Sequence, residues 1–217
     1  KYISILMDNK IFKSEDILPF AIYKNSPFID EGINRLIKIL GRNYGIYFTI
    51  LQLAATGTNR RADIEEMIGK NIGGYLKRLS VDYDLIDKLN PANSPENARR
   101  QRIFIKDKFL NFWFRFIYRN SSALESGDYD CLQAIQKDFQ QYRETNLKEM
   151  FARLLMDAGG YDEVGFFWQK SDKKYSEIIA TNHKKRILHI YTVKMKKSQI
   201  SDKQLEKRSE IILKNYQ

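Results

Sequence analysis

The sequence of 217 residues contains few of the side chains that build metal sites and disulfides. Its single cysteine, Cys131, excludes an internal disulfide and a zinc site made of cysteines. The two histidines, His183 and His189, have no second histidine or cysteine at ligand spacing. The sequence has no apolar run of about 18 residues, the length of a membrane span, and no pattern of a signal peptide. These absences favour a globular protein of the reducing cytoplasm that makes no membrane contact.

Positive charge is concentrated near the end of the chain. The net charge is +10. Residues 170–217 hold 13 Lys/Arg against 5 Asp/Glu, a net of +8, whereas residues 1–169 hold 24 against 22, a net of +2. A basic surface attracts phosphate backbones. The same composition is also typical of a solvated lysine-rich face, so the charge leaves both interpretations open.

Helix signals dominate the first part of the chain. Ser14, ahead of two acids, predicts the cap of one helix, and Asp30 predicts the cap of a second helix that ends at Gly41. Residues 44–107 then predict three short helices followed by two strands. This order is typical of a winged helix.

In a winged helix, the third helix and the loop between the strands contact DNA. The third segment, NIGGYLKRLS, places Gly73 and Gly74 inside that helix. Residues 43–107 carry 10 Lys/Arg and 8 Asp/Glu, a net of only +2, so DNA contact and protein contact stay open for this module. The candidate DNA-contacting residues here are Lys70, Lys77 and Arg78 near the third helix, and Arg99, Arg100 and Arg102 on the wing 90–101 and its return strand.

The remainder of the chain predicts an aromatic helix and a small α/β unit. The stretch DKFLNFWFRFIYR places aromatic residues at helical spacing, which is typical of a core, although a base-stacking platform is the alternative. Residues 129–158 predict a long helix, interrupted near 144–146. EVGFFWQ, SEIIAT and RILHIYTVKM then alternate as strands do, and DKQLEKRSEIILKN predicts a final helix. We therefore expect an α+β fold that is mostly helical.

Read in this order, the sequence resembles the C-terminal region of the archaeal-type ATPase family. The strings that carry the resemblance are KYISILMDN, SPFIDEGINRLI, YGIYFTILQLAATG, NIGGYLKRL and above all IKDKFLNFWFRFIYRN. The resemblance implies an AAA+-type domain upstream, which would hold ATP and magnesium, since no GxxxxGK[ST] pattern exists in this chain. Because the chain begins with Lys1, we expect it to be a piece of a longer protein.

The resemblance also implies an order of parts. Residues 1–41 would be a helical, lid-like segment, 42–107 a winged helix, 108–150 a helical connector, and 151–217 a degenerate nuclease-like domain. The last part resembles PD-(D/E)xK nucleases, in which acids hold a divalent metal and a lysine positions the attacking water. Lys194 matches the motif lysine, and Glu177 stands at the metal-acid position. Thr192 replaces the motif carboxylate, which argues against an active nuclease and leaves no metal site. Glu149 is a loose match to an acid on the preceding helix.

The expected function is a non-catalytic accessory region of a bacterial ATPase that binds nucleic acid, with duplex DNA and its own ATPase domain as partners. The alternatives are a protein-docking module of the ATPase and, less in keeping with Thr192, a metal-dependent nuclease. No cofactor is expected in this part of the protein. The candidate phosphate-binding residues of the C-terminal part are Lys184, Lys185, Arg186, Lys196 and Lys197.

Overall fold

A computed structural model describes residues 1–23, 25–41, 44–94, 100–126, 132–169 and 177–216. They are mostly helical and carry two small antiparallel sheets, so the predicted α+β class is confirmed. The chain divides into two units: Lys1–Leu89 with Arg102–Gln136, and Asn90–Gln101 with Lys137–Gln217. In the described parts, no helix has both the length and the apolar character that crossing a membrane requires.

The first unit consists of short helices and a two-stranded sheet. In the sheet, β1 (Ile86–Leu89) pairs antiparallel with β2 (Arg102–Ile105), and Ile86 lies opposite Ile105. The helices are α1 (Tyr2–Asp8), α2 (Ser14–Ile22), α3 (Pro27–Leu40), α4 (Gly45–Ala55), α5 (Arg61–Ile68), α6 (Gly73–Lys77), α7 (Lys108–Phe112) and α8 (Ser121–Ser126). α6 continues into the π-helical turn Arg78–Asp82, and α7 into the π-helical turn Trp113–Ile117 and the 3-10 turn Tyr118–Asn120.

The starts of α2 and α3 differ from the predicted caps. α2 begins at Ser14 itself, which is therefore its first residue and not its cap. The predicted cap of α3 at Asp30 is wrong, because the Oγ atom of Ser26 accepts a hydrogen bond from the Phe28 amide at 3.3 Å. Pro27 occupies the first helical position, where its missing N–H costs no hydrogen bond. Asp30 still lies in the first turn, where a negative charge favours the helix dipole.

One carboxylate joins the second and third helices of the 44–82 region. Glu65 Oε1 accepts hydrogen bonds from the Ile72 amide at 3.0 Å and from Arg61 Nε at 2.8 Å. The Ile72 bond, followed by the Arg61 bond, lowers the pKa of Glu65. Gly73 and Gly74 open α6 instead of lying in its interior, so the cost of an interior glycine does not apply to them.

The aromatic segment forms the core of the first unit, as its spacing predicts. Trp113, Phe114 and Phe116 are almost completely buried, which excludes these three rings from a base-stacking surface. The Trp113 indole N–H donates to the Ile29 carbonyl at 3.0 Å, and its ring lies directly against Gly32. A Cβ atom at position 32 would be 2.3 Å from the ring, so only glycine fits there.

The second unit is a three-stranded antiparallel sheet with helices. The strands, β3 (Glu163–Phe167), β4 (Glu177–Asn182) and β5 (Ile187–Tyr191), lie in the order β3-β4-β5. The helices are α9 (Leu132–Asp157) and α10 (Asp202–Tyr216), with a 3-10 turn at Lys197–Gln199. The predicted interruption of α9 near 144–146 is wrong. Thr145 and Asn146 bond back to the carbonyls of Gln141 and Tyr142 at 3.0 and 2.9 Å, which lets them continue the helix.

One buried cluster of the second unit lies on one face of this sheet, and the central strand β4 is buried on both of its faces. Phe167, Ile179 and Ile212 are buried together, and Leu188, Ile190 and Ile211 pack against them. Ala92 joins this cluster, and its amide donates to the Phe166 carbonyl at 2.8 Å. The segment predicted to be a wing is therefore packed along β3, at least through its described residues.

Candidate functional site

The second unit contains a cavity of about 510 Å³ beside its sheet. Its lining ranges from buried side chains, such as Glu177 and Lys148, to exposed ones, such as Gln204 and Lys207, so the cavity has an inner end and an open rim. Among the residues that the structure describes, four cationic side chains line it: Lys148, Lys194, Lys207 and Arg208. Glu177 is the acidic residue among the described lining residues. The cavity therefore has the charge to accept an anionic group.

Glu177 and Thr192 lie at the same end of the sheet, where β4 begins and β5 has just ended. Ile178 pairs with Tyr191, and the same antiparallel register, extended by one residue, brings Glu177 opposite Thr192. Glu177 is 7% exposed. Within the part of the chain that the structure describes, Glu177 Oε2 and Thr192 Oγ1 are both buried and have no hydrogen-bond partner. Buried polar atoms are normally paired, so each of these two oxygens requires an explanation.

Lys194 is bound to a carboxylate on α9. Its Nζ atom donates to Glu144 Oε1 at 2.9 Å, and Lys148 Nζ lies 3.1 Å from the same oxygen. Burial alone would raise the pKa of Glu144, but the hydrogen bonds from Lys194 and Lys148 outweigh burial and lower it. Two lysines thus share one carboxylate, which leaves one positive charge in excess.

The residues of this site do not fit a divalent metal. Mg²⁺ requires carboxylates and waters, whereas here Glu177 stands beside the neutral hydroxyl of Thr192. Glu144, the second carboxylate of this region, is already bound by two lysines. The described residues contain no group of three or more His, Cys, Asp or Glu side chains placed to hold a metal ion. Glu149, the loose match to the helix acid, does not line the cavity, and Glu144 is the acid that reaches Lys194.

The structure separates the predicted basic residues of this unit into two places. Lys184, Lys185 and Arg186 are exposed in the turn between β4 and β5. That turn lies at the far end of β4 from Glu177, about 17 Å away at the usual rise of a strand. Lys196 is exposed beyond β5, and Lys197 begins the 3-10 turn, with its side chain outside the described residues. Of the predicted residues, Glu177, Thr192 and Lys194 are the ones that line the cavity.

The basic residues predicted around the winged-helix region have varied surroundings. Lys70 and Lys77 are exposed, and Arg78 hydrogen-bonds Tyr47. Arg100 is half-buried and donates to Ser94, while its carbonyl accepts from Trp168 Nε1 at 2.8 Å. Arg102 is 2% exposed, so it is not part of a binding surface. Arg99 lies outside the described residues.

The sequence pattern did not reveal three of the cavity's cations. Lys207 and Arg208 lie three and four residues after Gln204 on α10, the spacing that places side chains on one helix face. Lys148 follows Glu144 by four residues, the spacing and order that favour a helical ion pair. Both spacings are present in the sequence, but only the folded chain places these side chains around the same cavity as Glu177.

Comparison with known proteins gives a family of unknown function. Residues 113–208 match the model of the DUF234 family, described as archaeal and bacterial proteins of unknown function. The match includes Glu144, Glu177, Thr192 and Lys194. An uncharacterised protein of Methanocaldococcus jannaschii is 24% identical over 202 residues, which cover 88% of this chain and 45% of that protein. The chain thus spans less than half the length of this curated relative. No solved structure matches it.

Proposed function

We propose that this chain is the nucleic-acid-binding, non-cleaving region of a larger ATPase, and that the cavity of its second unit makes the principal contact. The observation that carries the proposal is the lining of the cavity. Lys148, Lys194, Lys207 and Arg208 outnumber Glu177 and the adjoining Glu144 by two positive charges. This excess lies in a concave site, where field lines concentrate and attract phosphates.

Phosphate contacts dominate the affinity of most nucleic-acid-binding proteins, because each one releases condensed counterions. Lys207 is exposed and can reach a phosphate, and Arg208 adds a second positive charge to the lining from the same helix. The turn with Lys184 and Lys185 supplies a second, separate basic surface. A backbone that touches both surfaces would bind more tightly than one that touches the cavity alone.

We propose no cleavage activity because the oxygen ligands of this site do not suit a catalytic metal ion. A nuclease of the type that this unit resembles requires carboxylates that hold a metal at the scissile phosphate. Thr192 supplies a neutral oxygen in place of one of them, and the lysines at Glu144 compete with any cation for that carboxylate. Without a metal, Lys194 holds an anion but does not activate water.

The order of elements supports the finer assignments of fold. The helices α4, α5 and α6 followed by the β1–β2 pair agree with the order of elements expected of a winged helix. A helix followed by strands, with Glu177 at the start of β4 and Lys194 after β5, agrees with a degenerate nuclease core. The ATPase assignment is supported by the resemblance of the sequence, and the extra length of the Methanocaldococcus relative leaves room for such a domain.

A second function, docking onto a protein such as the ATPase domain, is favoured by apolar side chains near the start of the chain. Ile3, Met7 and Phe12 are 73%, 58% and 75% exposed. Large exposed apolar side chains close together favour a protein contact. The size of the full-length protein with and without ATP, for wild type and Phe12→Ser, tests this function. An ATP-dependent change in size that Phe12→Ser leaves intact would count against it.

Binding and cleavage assays on the purified chain test the main proposal. Labelled duplex and single-stranded DNA should bind at about 50 mM salt and weaken steeply toward 200 mM. Plasmid incubated with Mg²⁺ or Mn²⁺ should stay intact, with Lys194→Ala as the control protein. The absence of binding at about 50 mM salt, or cleavage that Lys194→Ala abolishes, would overturn the proposal.

A further inference from the structure

The two unpaired oxygens at the inner end of the cavity restrict what can occupy it. An ionised carboxylate only accepts hydrogen bonds, so Glu177 Oε2 requires a donor. The buried Thr192 hydroxyl also makes no hydrogen bond within the described part of the chain. A buried acceptor left without a donor lowers stability. The inner end is therefore built for a group that carries an O–H or N–H.

The rest of the cavity lining is cationic, so it favours an anionic group and not a hydrogen-bond donor. Lys194 lies two residues beyond Thr192, and α10 contributes the exposed Lys207 and the half-buried Arg208 to the lining. These side chains attract phosphate, whereas Glu177 repels it. An occupant that satisfies the whole lining must carry a hydrogen-bond donor and a phosphate only a few atoms apart.

We propose that the cavity binds the terminal nucleotide of a DNA strand, and that its sugar 3′-hydroxyl donates to Glu177 Oε2. This inference rests on the proposed nucleic-acid binding. Within a DNA strand both sugar oxygens are esterified, so a sugar hydroxyl exists only at an end. The phosphate on the other side of that sugar lies on Lys194 and the α10 cations. The cavity, at about 510 Å³, is within the size range of sites for small ligands and holds one nucleotide, not a duplex.

The test compares two single-stranded DNA oligonucleotides of the same sequence, labelled at the 5′ end. One ends in a normal 3′-hydroxyl and the other in a 2′,3′-dideoxynucleotide, so they differ by one oxygen atom. Fluorescence anisotropy with the whole chain should show about tenfold tighter binding of the hydroxyl end, the value of one hydrogen bond to a charged group.

Variants at position 177 assign this preference to the carboxylate. Glu177→Met keeps the size of the side chain and removes the acceptor, and it should abolish the preference. The dideoxy end should bind this variant at least as tightly as it binds wild type, because a negative charge leaves the cavity. Glu177→Gln keeps one acceptor oxygen and should keep part of the preference. Thr192→Val, which removes the hydroxyl with little change in shape, provides a second route if Glu177→Met does not fold.

The outcomes separate this inference from the proposed function. Equal affinity of wild type for the two ends, with binding that still weakens with salt, overturns the terminal-nucleotide inference alone. Competition by free thymidine monophosphate as strong as that by the hydroxyl-ended oligonucleotide also overturns it, in favour of a small-molecule site. If neither oligonucleotide binds at about 50 mM salt, the proposed function itself fails.

Discussion

Lys194 donates a hydrogen bond to Glu144 at 2.9 Å, although the two residues are 50 positions apart in the sequence. Lys148 shares the same oxygen from the helical turn that follows Glu144. Lys194, which the sequence resemblance places at the motif lysine of nucleases, is thus held by an acid on a helix. This contact ties α9 to the end of β5 and sets the charge at the inner end of the cavity.

Glu144→Gln should destabilise the protein near neutral pH by about 1–2 kcal/mol, because two lysines lose their charged partner. The pKa of Glu144 is lowered in the fold. The stabilisation is therefore fully present above the unfolded value of about 4.3, and it is lost as the pH falls through the lower folded value. Urea unfolding of both proteins at pH 7 and at about pH 3 measures the difference. It should shrink at the acidic pH.

Glu206→Gln is the matched control for that experiment, because Glu206 is exposed on α10. Its effect should stay within about 0.5 kcal/mol at both pH values. A Glu144→Gln protein that is destabilised equally at neutral and acidic pH would show that the carboxylate charge is not what stabilises this contact.

Gly32→Ala should destabilise the first unit by at least about 1–3 kcal/mol, the usual cost of overpacking a core. The new methyl group would lie 2.3 Å from the Trp113 ring, which is buried and anchored to the Ile29 carbonyl. In an open helical position the same substitution would instead be favourable. Gly74→Ala is the control, since a Cβ there meets nothing within 4 Å. Thermal unfolding that ranks the two variants the other way would contradict the packing described for Trp113.

Tyr191 should titrate as an unusually weak acid. Its hydroxyl lies 2.5 Å from the Tyr161 hydroxyl, and this hydrogen bond, with burial second, raises the pKa of Tyr191 to about 12. Tyr161→Phe should return the pKa toward the ordinary value of about 10. Because folding favours the neutral phenol, the stabilisation is complete below about pH 10 and is lost as the pH rises through about 12.

The phenolate absorbance measures this titration. Subtracting the curve of the double variant, Tyr161→Phe with Tyr191→Phe, from that of Tyr161→Phe isolates Tyr191 among the other tyrosines. Subtracting the curve of Tyr191→Phe from that of wild type gives the comparison with Tyr161 present. Identical pKa values in the two differences would mean that the Tyr161 contact does not control Tyr191.

Much of the fold follows from local sequence patterns, and the site only in part. Alternation over ILHIY predicts a strand, and in β5 Leu188 and Ile190 are partly buried while Ile187 and His189 are exposed. EVGFF also forms a strand, although its burial does not alternate. The predicted cap of α3 at Asp30 was wrong because the helix begins at Pro27, with Ser26 as its cap. Sequence periodicity shows only which residues of a single helix or strand face the core. It therefore says nothing about the packing of Ala92 against β3, which depends on a contact between distant parts of the chain.

The same limit applies to the cavity. Glu177, Thr192 and Lys194 were predicted from the resemblance to a known motif, and all three line the cavity. Glu144 and Lys148 were not predicted, because an interruption of α9 was expected at residues 144–146, where Glu144 contacts Lys194. The sequence pattern around Lys207 and Arg208 is that of solvated residues on an amphipathic helix. Only the packing of α10 brings these two side chains to the cavity that Glu177 lines.

The salt dependence of DNA binding tests the central claim most directly. A plot of log affinity against log salt for single-stranded DNA should be linear, and Lys207→Gln should reduce its slope by about one phosphate contact. Lys214→Gln, exposed on the same helix but outside the cavity lining, should leave the slope unchanged. If Lys207→Gln leaves the slope intact while Lys184→Gln and Lys185→Gln in the β4–β5 turn reduce it, the nucleic acid binds elsewhere and the cavity is not its principal site.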